Sequence, residues 1–130
     1  MHEKLQVRVV TPERPVFQGE AEFVVVPAHD GEVGIQPRHA RFLASLGVGE
    51  LRITRGGTVL RFFLEGGFVQ VRSDQVTVLC EEATELESLD VAAAEAAAER
   101  ARAEGAPDAT ALERRAAVMR RVAQRVQKTS

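Results

Sequence analysis

Between residues 5 and 79 apolar side chains recur mainly at every second position, in short runs cut by glycine and proline. Leu5, Val7 and Val9 alternate with polar residues, the period of a strand with one buried face. Thr11-Pro12-Glu13 turns the chain, and Pro15-Val16-Phe17 with Gly19 reads as a short edge piece. A denser strand covers Glu20 to Val26 and is expected to stop at Pro27. Asp30-Gly31 then turns into Val33 and Ile35, which Gly34 splits and Pro37 ends. Phe42 to Leu46 follows, and a Gly-Val-Gly corner leads into Leu51 to Thr54. Arg55-Gly56-Gly57 joins that strand to Thr58–Leu64 as a hairpin. Gly66-Gly67 opens Phe68 to Val71, and Ser73-Asp74 opens Val76 to Leu79. Roughly ten short strands punctuated by turn residues predict an antiparallel β-sandwich.

At Glu81 the pattern changes. Glu81, Glu82, Glu85 and Glu87 form an acidic connector with no strand alternation. From Asp90 to Glu104 nearly every residue is alanine, glutamate or arginine, all strong helix formers. Asp90 suits the N-cap, and Gly105-Ala106-Pro107 is a stop signal. Thr110-Ala-Leu-Glu113 reads as a capping box for a second helix running to about Lys128. On that helix Leu112, Ala116, Met119, Ala123 and Val126 form one stripe. The short connection predicts an antiparallel hairpin. The fold class is therefore α+β, a sandwich over residues 1–84 followed by a two-helix hairpin over 85–130.

The first helix offers eight alanines between Val91 and Ala103 and almost no large apolar side chain. A buried methyl contributes about 0.8 kcal/mol, against about 1.5–3 for a whole Leu or Ile. Two readings follow, helices whose docking comes and goes as in a switch, or a permanently packed lid.

Composition places the 130-residue chain among soluble globular proteins, with 45% hydrophobic and 28% charged residues. No apolar run approaches the roughly 20 residues that span a bilayer, and MHEKLQV lacks a signal-peptide core. The single cysteine, Cys80, fits a reducing compartment and a small core side chain. His2, His29 and His39 lack metal-ligand spacing, so neither a metal site nor a catalytic residue is expected. His29-Asp30 reads as a turn-stabilising pair. The glycine pairs lack the lysine and hydroxyl of a phosphate loop.

Charge changes the picture in one place. The formal net charge is −2, yet the second helix carries Arg114, Arg115, Arg120, Arg121, Arg125 and Lys128 against Glu113 alone. Arg114, Arg121, Arg125 and Lys128 fall on one face. Charged helix faces are commonly just solvated, but they mix signs. A face of one sign suits docking to an acidic or phosphate-bearing partner.

Two stretches carry a resemblance. D-G-E-V-G-I-x-P-x-H-A from Asp30, with the L-x-x-G-x-L-R-I corner after it, resembles the signature of the epsilon subunit of F-type ATP synthases. FLEGGFVQVRSDQVTVL from Phe63 resembles the same family's second block. The resemblance implies a sandwich that binds the gamma subunit and the c subunits of the membrane rotor ring at the foot of the central stalk. It places the rotor-ring contact at Asp30, Gly31 and Glu32, with His39 in the adjoining loop. It implies a helical hairpin that rises along gamma and blocks ATP hydrolysis, its basic face of Arg114, Arg121, Arg125 and Lys128 meeting an acidic segment of the catalytic beta subunits. The subunit would be non-catalytic and peripheral, on the cytoplasmic face of a bacterial inner membrane, without inserting into it.

Some bacterial epsilon subunits hold ATP through an Ile/Leu-Asp-x-x-Arg-Ala motif and two arginines four apart on the second helix. Leu89-Asp90 matches the opening, and Arg121 with Arg125 the pair, but Ala93 stands where the motif has arginine. No cofactor is required, weak regulatory ATP binding is the most this set implies, and Asp90 is either a ligand contact or simply the N-cap. Two other classes compete with the family reading. One is a free-standing sandwich module with a basic helical arm. The other, a nucleic-acid binder, is opposed by the negative net charge and by having only phenylalanine as an aromatic.

Overall fold

The computed structural model describes residues 3–129, the side chains of 125–129 excepted. Contacts divide the chain into two compact units, Met1–Thr84 and Glu85–Ser130.

The first unit is built on ten strands: β1 (Leu5–Val10), β2 (Pro15–Ala21), β3 (Phe23–Ala28), β4 (Gly31–Ile35), β5 (Phe42–Ser45), β6 (Val48–Arg55), β7 (Thr58–Glu65), β8 (Phe68–Arg72), β9 (Gln75–Leu79) and β10 (Glu82–Glu85). They form two five-stranded sheets, ordered β2-β1-β9-β8-β5 and β10-β7-β6-β3-β4. The pairs β1–β2, β3–β4, β3–β6, β5–β8, β6–β7 and β8–β9 are antiparallel, whereas β1 and β9 run parallel from Gln6↔Gln75 to Val10↔Leu79. Alternation fills the space between the sheets. Leu5, Val7, Val9, Val69, Val71, Val76 and Val78 meet Val24, Val26, Ile35, Leu51, Ile53, Phe62 and Leu64 in one core. Ser73 and Asp74 both take left-handed φ, 49° and 61°, as a two-residue hairpin turn of this type demands.

The strand ends differ from the sequence reading in four places. The expected Gly-Val-Gly corner before Leu51 is largely strand, since β6 begins at Val48 and Gly49 pairs with Leu64. The expected strand Glu20–Val26 is cut at Glu22, where the chain leaves one sheet for the other. Pro27 does not stop β3. Its carbonyl accepts from Gly47 N at 2.8 Å while β3 pairs β4 as Pro27↔Glu32. Its nitrogen, on the same side as its carbonyl, therefore faces away from β4, and no ladder bond is lost. The acidic connector contains a strand: β10 lies at the edge beside β7, with Ala83 buried in the core and Glu82 and Glu85 exposed.

The second unit opens with a 3-10 turn, Leu86–Ser88, followed by α1 (Val91–Ala103) and α2 (Ala109–Thr129). Asp90 caps α1, accepting from Ala93 N at 2.9 Å, and Gly105 at φ 66° follows its end. The capping box at Thr110 is not used. The helix already runs at Ala109, and the Asp108 carbonyl accepts from Leu112 N. The buried residues of α1 are Ala94, Ala98 and Ala101. Ala116, Met119 and Val122 are buried on α2 and Ala123 is half-buried, so the stripe widens to include Val122; the side chain of Val126 lies outside the described residues.

Candidate functional site

The β3–β4 hairpin ends in a turn at His29 and Asp30, both exposed. Gly31 has φ 131°, in a region that side chains avoid, and open space around it. The turn is tied to the other sheet, since His29 N donates to Ser45 O at 3.0 Å and Ala28 bridges Leu46. Between the turn and β5 runs a groove of about 480 Å³ lined by residues that include His29, Asp30, Gly31, Leu43 and Ser45.

Glu32 does not project from this turn. It reaches over β3 to Arg52 on β6, whose Nη1 donates to Oε2 at 2.9 Å and Nη2 to Oε1 at 3.3 Å. Arg52 Nη1 also donates to Glu50 at 2.7 Å, and Arg61 Nη1 donates to the other Glu50 oxygen at 3.1 Å. Glu50 is only 2% exposed, and a carboxylate so buried persists because both oxygens are satisfied by cations. Sequence reasoning missed this ladder of Glu32, Arg52, Glu50 and Arg61. Its trace was Glu50 and Arg52 alternating with Leu51 and Ile53, and a hairpin register that sets Arg52 opposite Arg61.

His39 lies at the far end of β4 from Asp30, with about 13 Å of strand between them at roughly 3.3 Å per residue. Its ring packs edge-on against Phe42, 5.7 Å between centroids, and its Nδ1 donates to Ala40 O at 2.7 Å. Arg38 before it takes φ 68° and is held at both ends: its N–H donates to Asp74 and its guanidinium pairs with Glu3. The structure thus groups Asp30 and Gly31 but separates His39 from them.

In the second unit Arg114 and Arg121 are exposed and, among the described residues, unpaired. Arg120 pairs with Glu95 of α1. The side chains of Arg125 and Lys128 lie outside the described residues. Asp90 borders a recess of about 510 Å³ with Leu86, Glu87, Ser88, Leu89, Val91 and Ala123. The charged groups among those described residues are both acidic, and Asp90 Oδ1 accepts from the Ala93 amide as the helix cap.

The outer face of the first sheet exposes Leu43, Phe68 and Leu79, the last two directly paired across β8 and β9. Cys80 is buried, and that burial pushes its thiol up to about 11. Among the described residues there is no group of three or more His, Cys, Asp or Glu that could hold a metal, and no helix is long and apolar enough to cross a membrane.

A ten-stranded sandwich with a Gly-rich hairpin tip, followed by a two-helix hairpin, defines a class of architecture shared with known assemblies. Residues 4–86 match the family described as ATP synthase, Delta/Epsilon chain, beta-sandwich domain. The ATP synthase epsilon chain of Pelotomaculum thermopropionicum is 43% identical over 78% of this chain and 76% of its own length. That of Halalkalibacterium halodurans is 46% identical over 75% and 73%. A chain in the Euglena gracilis mitochondrial ATP synthase, solved as OSCP/F1/c-ring in rotational state 1, shares the fold. Its TM-score is 0.72 at 20% identity, covering 97% of this chain and 81% of that one. A chain of the Tetrahymena thermophila mitochondrial central stalk/c-ring gives 0.57 at 18% identity, over 83% and 95%. This chain belongs to the ATP synthase epsilon chain family.

Proposed function

We propose that the chain is a non-catalytic rotor subunit of an F-type ATP synthase, joining the gamma subunit to the c subunits of the membrane ring and restraining ATP hydrolysis through its helical hairpin. It works peripherally, at the cytoplasmic face of a bacterial inner membrane. The observation that carries the inhibitory part is that Arg114 and Arg121 on α2 are exposed and, among the described residues, unpaired, in a helix pair whose α1 side buries only alanines. Alanine methyls give a thin seam, which suits a hairpin that leaves its resting place. Unrelieved positive charge suits an acidic stretch of a catalytic beta subunit. The paired, exposed Phe68 and Leu79 fit burial against another chain of the stalk.

The test is ATP hydrolysis by the parent complex carrying the whole chain, the chain without residues 89–130, or Arg114, Arg121 and Arg125 all changed to alanine. Both altered forms are expected to hydrolyse faster, and the restraint in the unaltered complex to weaken with salt, because exposed charges are screened beyond about 8 Å at physiological ionic strength. Equal rates for all three forms refute the inhibitory role.

A further inference from the structure

We propose that Asp30, and not Glu32, is the carboxylate that the β3–β4 hairpin offers to its partner, and that the groove beside it receives a loop bearing an arginine or lysine next to an apolar side chain. This rests on the reading that the hairpin tip meets the rotor ring. The two acids stand two residues apart, yet their surroundings differ. Glu32 is gripped by both terminal guanidinium nitrogens of Arg52, Nη1 and Nη2. Arg52 is itself only 25% exposed at its side chain and is fixed by Glu50, whose side chain is 1% exposed. A two-pronged contact on a cation anchored in this way holds its geometry far better than a lone surface pair. A partner's cation approaching Glu32 would compete with Arg52, and the like charges would repel.

Asp30 has no hydrogen-bond or ion-pair partner among the described residues. It is exposed at the tip, followed by a glycine with nothing within 4 Å of where a side chain would begin. Its flanking groove of about 480 Å³ has Leu43, 70% exposed, on the opposite wall. An unpaired carboxylate at one side and an exposed leucine at the other complement a loop that presents a cation beside an apolar group. The ladder and the groove therefore divide the labour. Glu32 fixes β4 across the sheet, and Asp30 recognises.

The experiment uses the complex as it exists. Peripheral complex carrying the wild-type, Asp30→Asn, Glu32→Gln or Leu43→Ser chain is rebound to membranes stripped to their rotor rings, over a range of salt. Asp30→Asn is expected to weaken rebinding about tenfold, the loss of one charge-assisted contact, and to flatten its salt dependence. Leu43→Ser is expected to weaken it with the salt dependence kept. Glu32→Gln is expected to weaken rebinding less than threefold and to show instead as a lower melting temperature of the isolated chain. Wild-type rebinding with Asp30→Asn unaffected, or with Glu32→Gln the more damaging of the two, overturns the assignment. A wild-type chain that never joins the complex overturns the proposed function first, and this inference with it.

Discussion

A methyl group added at Gly67 and one added at Gly31 should have very different consequences, although both glycines have positive φ, 113° and 131°. At Gly31 an alanine Cβ would meet nothing within 4 Å, so only backbone strain opposes Gly31→Ala, about 1–3 kcal/mol. At Gly67 the same atom would lie 1.9 Å from the Leu79 carbonyl oxygen and 2.7 Å from Cys80 Cα. These are backbone atoms of a central strand's end, and no rotamer change moves them. Relief requires the β7–β8 turn to withdraw by more than an ångström, which breaks the bond from Leu46 N to Gly67 O, now 2.8 Å. It also strains the pairing of Phe68 with Leu79. Adding a lost hydrogen bond of about 1 kcal/mol to the same strain and the clash gives roughly 4 kcal/mol or more. With about 4–8 °C per kcal/mol for a domain of this size, Gly31→Ala should melt on the order of 10 °C below the parent and Gly67→Ala more than about 20 °C below. Thermal unfolding followed by circular dichroism measures both. Melting temperatures within about 5 °C of each other, at a scale of 4–8 °C per kcal/mol, would falsify the steric argument.

Two further outcomes follow from the same geometry. Because burial raises the Cys80 thiol from 9.0 to about 11, the folded state holds this proton more tightly than the unfolded chain. The stability so gained is complete below pH 9 and is lost as pH rises through 11. The melting temperature should therefore fall between pH 8.5 and 10.5, by less in Cys80→Val, and an identical fall in both refutes it. Calorimetric titration with ATP should give weak or no binding, since Ala93 supplies no donor to a phosphate and Asp90 is engaged as a helix cap. Ala93→Arg should tighten binding about tenfold, and tight binding by the unaltered chain would overturn this account.

The sandwich could be read from sequence because nearly every strand announces itself by period-two alternation between turn residues. Where that signal fails, the physical cause is specific. Strand β10 sits at an edge, where backbone pairing with β7 suffices and a single inward residue, Ala83, leaves no alternation to detect. Nothing marks Glu22 as the crossing between sheets, because no glycine or proline is needed there. The Asp30-Gly31 turn and the arginine-rich helix were legible as local patterns. The ion-pair ladder was not, because it needs three pairing registers among four strands at once. For the same reason the few residues between Glu32 and His39 concealed how far apart the sheet holds them.

The parallel pairing of β1 with β9 sets the order in which this molecule can come into being. Gln6 lies beside Gln75 and Val10 beside Leu79, so the first strand made is finished by nearly the last of its unit. On a ribosome the β1–β2 hairpin emerges with one flank bare, and it must wait while seven further strands are synthesised. Long-range closure of this kind is slow, and the waiting flank is the kind of exposed edge on which chains aggregate. A growing chain stalled just before Gln75 would hold most of a sandwich and none of its seam.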